Sequence, residues 1–376
     1  MSTHRNDNRA RLRDLGITIG RFQPGRWNAI TDIPGVRVGQ VTLIDGDGPL
    51  TPGVGPVRTG VTVILPHEGN IGAEPLFAGV HVLNGNGEMT GTIWIEESGF
   101  LTTPIAITNT HSVGIVRDAL VAWGAQSVGR PEISWALPVV GETYDGWLND
   151  IDGMHVRAEH VWQAIESASS GPVAEGCVGG GTGMICHEFK GGNGTSSRVL
   201  PPELGGWTVA AFVQANYGSR HLLRVDGMPV GQLLPYDQVP GVRKAPQDGD
   251  GSIIVILATD APLLPNQCKR LAQRATIGLA RAGGIGADSS GDIFLAFSTG
   301  NRGLPDPASD AVSAPVSTRM VPSPHMTSIF EAAAEAVEEA ILNAICMATT
   351  MTGIEGRTVH AIPLDRLRDI AARRPW

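Results

Sequence analysis

Short apolar runs alternate along this chain with polar segments that are rich in glycine, proline and aspartate. Some runs alternate apolar with polar residues and others are continuously apolar, which is typical of sheets that are covered on at least one face. The pattern predicts strands at residues 61–65, 79–83, 92–97, 104–109, 133–140, 207–216, 220–225, 252–258 and 292–298.

Helical periodicity is limited to a few segments. In the longest of them, 328–352, apolar residues recur every three or four positions. Ser328 and Glu331 have the spacing of a capping box at its start, and Gly353 predicts its end. The predicted helices are residues 112–127, 155–169, 265–282 and 328–352. Many strands with fewer, longer helices indicate an α/β protein.

Composition and charge exclude several classes of protein. The 376 residues carry a formal net charge of −9 without a cluster of Lys and Arg, which argues against a nucleic-acid surface. The amino-terminal segment lacks the apolar core of a signal peptide, and no run of about 18 apolar residues predicts a membrane span. The four cysteines are far apart and form no C-x-x-C pair, which fits free thiols in a reduced compartment. We expect a cytoplasmic protein.

Two glycine-rich segments interrupt the predicted elements. The cluster at 176–198 lacks the G-x-x-x-x-G-K-[ST] and G-x-G-x-x-G patterns, so we interpret its glycines as points where the backbone passes close to another layer. The connector at 224–251 is rich in Gly, Pro and Asp. Structureless segments of that length inside compact domains are usually functional or disordered.

The residue after this connector is a candidate nucleophile. The chain contains neither G-x-S-x-G nor H-E-x-x-H, and no motif nominates a Ser-His-Asp triad, although a triad stays open. Ser252 follows two Asp-Gly pairs and begins an apolar run, which ordinary turn chemistry alone can explain. If the bond before Ser252 were cut, the new α-amine would have a pKa of about 7.7–8.0. Ser252 would then carry a nucleophile and its base together.

Several long motifs carry a resemblance to a known family. They are NAITDIPGVRVGQVTL (28–43), PVRTGVTVILP (56–66), GCVGGGTGM with KGGNGTSSR (176–198), DGSIIVILATDAPL (250–263) and GADSSGDIFLAFSTGN (286–301). Together they resemble the DmpA family of L-aminopeptidase/D-esterase amidases, which are related to β-aminopeptidases. The resemblance extends over about residues 12–372.

The resemblance implies self-processing and a nucleophile. A single catalytic domain, residues 1–376, would be cut at the Gly251–Ser252 bond into fragments 1–251 and 252–376. Ser252 would be the nucleophile, and its α-amine the base. Ser290 and Asp292 match the pair that supports this amine. Some β-aminopeptidases carry Glu at the acidic position, so the reach of the shorter Asp292 side chain is the least secure of these assignments.

Three more residues match the family's substrate-binding and transition-state groups. Asn216, in VQANYG, matches the donor to the oxyanion. Glu142 matches the carboxylate that holds the substrate's free ammonium group. Tyr144 stands where the aminopeptidase branch has a tyrosine near the oxyanion.

The resemblance also implies a fold, an assembly and a reaction. The fold would be a four-layer α/β/β/α sandwich, similar to amino-terminal-nucleophile hydrolases but differently connected. The assembly would be a homo-oligomer of processed pairs, typically four. The enzyme would release the first residue of peptides, amino-acid amides or esters through an acyl-enzyme, with no metal or organic cofactor.

Two alternative functions stay open at the level of sequence. An acyltransferase of the ornithine acetyltransferase type has a similar fold, but its nucleophile is usually threonine. A non-enzymatic ligand-binding α/β protein would remain uncut. The sequence does not choose the preferred residue of the substrate, L or D, α or β.

Overall fold

The computed structural model describes residues 9–127, 135–242, 251–305 and 315–373. Within these ranges the chain alternates strands and helices. The strands are β1 (Arg37–Asp45), β2 (Val57–Leu65), β3 (Leu76–Gly85), β4 (Phe100–Leu101), β5 (Ile105–Asn109), β6 (Val139–Thr143), β7 (Ile185–Cys186), β8 (Phe189–Lys190), β9 (Gly192–Val199), β10 (Thr208–Asn216), β11 (Gly251–Thr259), β12 (Ser290–Ser298), β13 (Met351–Thr352) and β14 (Thr358–Val359). The α-helices are α1 (Thr92–Ser98), α2 (Val113–Ser127), α3 (Ala158–Glu166), α4 (Val230–Leu233), α5 (Pro265–Ala272), α6 (Ala275–Arg281), α7 (Ser323–Met347) and α8 (Leu364–Ala371).

Two sheets packed face to face form the centre of the fold. The larger sheet has the order β4-β3-β12-β11-β10-β9 and the smaller one the order β1-β2-β5-β6. Successive side chains of a strand point to opposite faces, and β11 shows this clearly. Ile254 and Ile256 pack between the sheets, whereas Ile253 and Val255 pack against the outer helices.

The helices cover the two outer faces. Helices α5 and α7 pack on the larger sheet, with α6 against α7, and α2 and α3 pack on the smaller sheet. The layers are therefore α/β/β/α, which confirms the predicted fold class. Continuously apolar strands such as β11 are explained by this double coverage.

Two predicted strands are wrong. Residues 92–97 form helix α1, which left-handed glycines bracket at Gly91 (φ 73°) and Gly99 (φ 77°), so the alternating pattern there was misleading. Residues 220–225 contain a 3₁₀ turn at Arg220–Leu222 instead of a strand, because the N–H groups of Leu222 and Leu223 bond to carbonyls three residues earlier. The Leu222 N–H, for example, donates to the Ser219 carbonyl at 3.1 Å.

Several predicted boundaries also differ. Helix α7 begins at Ser323 after Pro322 and ends at Met347, so Ser328 lies inside the helix and caps nothing. The predicted helix 265–282 is divided into α5 and α6. Residues 133–134 lie outside the described residues, and the strand predicted there corresponds to β6. The connector is structured in its first part, which contains α4, while residues 243–250 are outside the described ranges.

The glycine cluster does permit close contacts between layers. A Cβ atom on Gly194 of β9 would lie 2.0 Å from the Ala340 carbonyl oxygen of α7. A Cβ atom on Gly180 would lie 2.2 Å from Oε1 of Gln214. Side chains cannot occupy such positions without shifting the backbone, which confirms the interpretation made from the sequence.

A buried charge network attaches β9 to α7. The fully buried Arg198 donates to Glu335 at 3.0 Å and to Glu339 at 2.7 Å. Glu339 also accepts hydrogen bonds from the side chains of Arg13 and Asn28, in the amino-terminal segment. The amino-terminal segment, β9 and α7 are therefore joined by one set of buried charges.

Replacing Arg198 tests this dependence. Arg198→Ala removes the buried cation that Glu335 and Glu339 share, so we expect a loss of about 3–5 kcal/mol in the free energy of unfolding. The matched control is Arg21→Ala, which breaks an exposed pair with Glu331 and should lower the free energy of unfolding much less. Urea unfolding followed by circular dichroism measures both. Equal losses in the two variants would contradict the prediction.

Candidate active site

Strand register brings Ser252 and Asn216 side by side. In the antiparallel pair β10–β11, Asn216 is opposite Ser252, and in the parallel pair β11–β12, Ser252 is opposite Gly291. Ser252 has the same parity as Ile254 and Asn216 has the same parity as Phe212, so both side chains belong to the face between the two sheets.

Ser290 and Asp292 belong to the opposite face of the same sheet. In β12 the odd-numbered Ile293 packs between the sheets and the even-numbered Phe294 packs against the helices. Ser290 and Asp292 share the parity of Phe294, so they approach the start of β11 from the helix side. The backbone of Ser252 therefore lies between two sets of polar side chains.

Gly251 allows this crowding immediately before the serine. Its φ is 155°, and a Cβ atom there would lie 2.4 Å from the Asn216 carbonyl oxygen. In the uncleaved chain the Ser252 hydroxyl donates to the Gly251 carbonyl oxygen at 2.7 Å. The hydroxyl is thus already held against the peptide group whose cleavage the sequence predicts.

A cavity of about 700 Å³ opens in front of Ser252. Cavities of this size accommodate small ligands. The carboxylates of Glu88, Glu142 and Glu188 line it, and the described lining residues include no Lys, Arg or His. The lining consists of Gly85, Asn86, Gly87, Glu88, Thr110, Glu142, Tyr144, Trp147, Ile185, Glu188, Asn216, Tyr217, Gly218, Ser219, Val242, Gly251, Ser252 and Ser289. The cavity favours a cationic ligand.

The side-chain amide of Asn216 is fixed on both sides. Its Nδ2 donates to the Tyr144 carbonyl at 3.0 Å, and its Oδ1 accepts from the Ile185 N–H at 2.8 Å. An amide nitrogen has two hydrogens, so one is left for an oxygen in the cavity. Asn216 thus lines the cavity with a spare donor hydrogen, which its predicted role as oxyanion donor needs.

Asp292 reaches Ser290 despite its short side chain. The Ser290 hydroxyl donates to Oδ1 of Asp292 at 2.6 Å, and Asn84 donates to Oδ2 at 3.3 Å. Burial raises the pKa of Asp292, while hydrogen bonds from Ser290, Asn84 and the Ile253 N–H oppose that shift. A small cavity of about 20 Å³ beside Ser290 and Asp292, also lined by Tyr217, leaves room on this face.

Glu142 is a buried carboxylate at the end of β6. Thr110 donates its hydroxyl to Oε2, and the backbone N–H of Glu88 donates to Oε1 at 2.9 Å. Burial raises the pKa of Glu142 more than these hydrogen bonds lower it. Sequence reasoning did not find Thr110 or the Glu88 N–H, because both are distant from Glu142 along the chain and form no motif with it.

Tyr144 contributes its backbone more clearly than its hydroxyl. Its carbonyl orients Asn216, whereas its side chain is 52% exposed and its hydroxyl lies against Gly146. A Cβ atom on Gly146 would be 2.3 Å from that hydroxyl. The side chain lines the cavity, and no hydrogen bond between it and Ser252 is observed. Its predicted place near the oxyanion therefore stays a prediction.

Other kinds of site receive no support from the described part of the chain. In those residues, no group of three or more His, Cys, Asp and Glu is arranged to hold a metal ion. No described helix has the length and apolar character needed to cross a membrane. All four cysteines are free thiols, and three of them are buried.

The fold and site together define a serine aminopeptidase related to amino-terminal-nucleophile hydrolases. The profile of peptidase family S58 matches residues 28–359, and the chain belongs to this family. The resemblance seen in the sequence motifs is therefore confirmed, and neither the acyltransferase nor the non-enzymatic alternative is favoured.

Known relatives agree with this assignment over nearly the whole chain. The chain is 50% identical over 369 residues to the β-peptidyl aminopeptidase BapA of Sphingosinicella microcystinivorans, covering 96% of this chain and 91% of that protein. A Burkholderia sp. β-aminopeptidase structure is 57% identical with a TM-score of 0.90, covering 98% and 99% of the two chains. The L-aminopeptidase D-Ala-esterase/amidase of Ochrobactrum anthropi is 44% identical with a TM-score of 0.86, covering 96% and 98%. That structure is described as a variant of the Ntn hydrolase fold.

Glu142→Gln separates a binding carboxylate from a structural one. The ionised form is needed to hold an ammonium group, and its loss should lower kcat/KM at least about thirtyfold for a free-amine substrate. Because burial raises the pKa of Glu142, the ionised form is less favourable in the folded than in the unfolded chain above that pKa. The glutamine variant should therefore melt no lower than wild type at pH 7.

The pH profile supplies a second measurement on the same residue. In wild type, kcat/KM should fall as the pH drops through the raised pKa of Glu142, which lies above the ordinary value of about 4.3. Undiminished kcat/KM in Glu142→Gln would remove Glu142 from substrate binding.

Proposed function

We propose that this aminopeptidase matures by cutting its own Gly251–Ser252 bond and then uses Ser252 as an amino-terminal nucleophile. The observation that carries the proposal is the register at the start of β11. It places Ser252 opposite Asn216 on the cavity face and Ser290 with Asp292 behind the same backbone. The predicted oxyanion donor on one face and the pair predicted to support the α-amine on the other therefore meet at Ser252.

Maturation begins with the Ser252 hydroxyl, which lies against the Gly251 carbonyl group. Attack of Oγ on the carbonyl carbon forms an ester, and the C–N bond breaks as the hydroxyl proton passes to the nitrogen of Ser252, which becomes a free amine. Water then hydrolyses the ester, leaving a carboxylate on Gly251 and restoring the hydroxyl. Gly251 supports this step because no larger residue fits beside Asn216 and Tyr217.

Turnover repeats the attack on a substrate carbonyl. Oγ of Ser252 forms the new bond while its α-amine takes the proton, and with a pKa of about 7.7–8.0 this amine is substantially neutral near that pH. Ser290, which donates to Asp292, can accept a hydrogen bond from the amine on the helix face. The free Nδ2 hydrogen of Asn216 stabilises the developing oxyanion.

The acyl-enzyme then releases its two products in order. The protonated α-amine returns its proton to the leaving amine when the C–N bond of the tetrahedral intermediate breaks. Water attacks the ester, with the α-amine again taking a proton, and frees the first residue of the substrate. Glu142, paired with that residue's ammonium group, restricts cleavage to the amino-terminal end of the substrate.

We propose that the acyl residue is preferentially a β-amino acid. The support is the similarity to two proteins named as β-peptidyl aminopeptidase and β-aminopeptidase, at 50% and 57% identity. An esterase and amidase activity on amino-acid derivatives is the related possibility, since the Ochrobactrum anthropi enzyme is named for it.

We also propose a homo-oligomer of four processed pairs in the cytoplasm. Exposed apolar side chains such as Ile93 (85%) and Ile285 (65%) support burial against another copy, and four free thiols support a reducing compartment. Sedimentation measures the assembly.

Intact mass and amino-terminal sequencing test maturation. Wild-type protein should consist of fragments 1–251 and 252–376, the second beginning Ser-Ile-Ile-Val. Ser252→Ala should remain one folded, inactive chain, because it has neither the hydroxyl nor a freed amine. Ser252→Cys is the matched control and should still cut, since a thiol can make the same acyl shift. Active wild-type protein with an unbroken bond would refute the mechanism.

A substrate with a blocked amine tests the role of Glu142 by changing the substrate instead of the enzyme. An N-acetylated β-amino-acid amide cannot pair with this carboxylate, so its kcat/KM should fall at least about thirtyfold below that of the free amine. Steady-state assays with both compounds measure the ratio. Equal rates would indicate a general amidase instead of an aminopeptidase.

A further inference from the structure

The turn between β7 and β8 places a third carboxylate in the cavity at a backbone position that favours other residues. His187 (φ 50°) and Glu188 (φ 62°) are both left-handed, as in the two-residue hairpin turn that favours Asn and Gly. Left-handed non-glycine residues are strained and concentrate at functional sites. A glutamate therefore occupies a position in this turn at which Asn or Gly would be less strained.

Surrounding contacts hold this turn in place. The buried His187 ring packs against Tyr217, with centroids 4.9 Å apart, and its Nδ1 lies 3.0 Å from the Ser219 carbonyl oxygen. Oε1 of Glu188 accepts from the Arg220 N–H at 3.1 Å and from the Tyr236 hydroxyl at 3.0 Å. Among the described residues, no hydrogen bond to Oε2 of Glu188 is observed. One carboxylate oxygen is thus oriented and the other is left for a ligand.

Glu188 and Glu142 belong to opposite sides of the nucleophile strand. In the sheet order β3-β12-β11-β10, the loop after β3 flanks β11 on one side and the residues after β10 flank it on the other. Glu142 contacts the first loop through Glu88. Glu188 contacts residues after β10 through Arg220. The cavity therefore has an acidic wall on each side of Ser252.

We propose that Glu188 is a specificity-determining residue for the leaving group and selects peptides whose second residue carries a cationic side chain, such as Lys or Arg. This rests on the proposed function, in which Glu142 holds the substrate's ammonium group. The leaving amine then departs from the carbonyl carbon on the side away from Glu142, toward the β10 side and Glu188. Arg220 is a cation near Glu188, but its guanidinium donates to the backbone carbonyls of Val239, Glu188 and Pro240 and not to the carboxylate. Since the described cavity lining itself includes no cation, a carboxylate whose second oxygen accepts no hydrogen bond from a described residue pairs favourably with a positive side chain.

A pair of peptides tests the proposal in the wild-type enzyme. β-Alanyl-lysine amide and β-alanyl-norleucine amide have the same acyl residue and side chains of similar length, and they differ in charge. The amide group removes the terminal carboxylate, which Glu188 would repel. We expect kcat/KM to favour the lysine peptide about fivefold to tenfold at low ionic strength, and less in about 1 M salt. A salt-independent ratio of one would overturn the proposal.

Two variants then locate the effect. Glu188→Gln retains an acceptor for Arg220 and Tyr236 and should bring the lysine-to-norleucine ratio close to one. Glu88→Gln is the matched control, because it removes a carboxylate from the other wall of the same cavity and should preserve the ratio. A Glu188→Gln variant that slows both peptides by the same factor would show a structural role and overturn the proposal.

A third substrate distinguishes this inference from the proposed function. β-Alanyl p-nitroanilide has the same acyl residue and no cationic leaving group. Cleavage of the anilide with equal rates for the two peptides would contradict the role of Glu188 alone. Failure to cleave the anilide and both peptides would contradict the proposed β-aminopeptidase function itself.

Discussion

The pairing of β11 with β10 on one side and β12 on the other is the constraint on which the site depends. It fixes Ser252 opposite Asn216 and beside Gly291, and the alternation of side chains then assigns Ser252 and Asn216 to one face and Ser290 and Asp292 to the other. A slip of one residue would turn Ser252 toward the helices and away from the cavity. The apolar residues of β11, buried on both faces, oppose such a slip and so protect the chemistry.

Acidic side chains are used in two different ways in this fold. Glu335 and Glu339 are neutralised by Arg198 inside the protein, where they join α7 to β9. In contrast, Glu142 is buried against a hydroxyl and an N–H, with no described cation beside it. The first arrangement stabilises the structure internally, whereas we propose that a positive ligand completes the second. The net charge of −9 is compatible with attraction of cationic peptides over longer distances.

Sequence patterns predicted the strands of the double-covered sheet well and failed where short segments carried strong local signals. Helix α1 reads as a strand because its isoleucines alternate, yet Gly91 and Gly99 confine it to a single short helix. Helix α7 begins before its predicted capping box because Pro322 and tertiary packing set its start. Among site residues, the spacing of Ser290 and Asp292 was recognisable, and their 2.6 Å contact shows that the shorter aspartate side chain reaches Ser290.

Sequence by itself determined the fold class and the family, and it predicts a cut at the Gly251–Ser252 junction, because periodicity and contiguous motifs are properties of neighbouring residues. Only the tertiary structure decided the partners of these residues. Thr110 meets Glu142 across 32 positions, and Asn84 meets Asp292 across 208. Glu188 enters the cavity because a buried histidine and a left-handed turn orient it. Such contacts depend on strand register and layer packing, which no short stretch of sequence encodes.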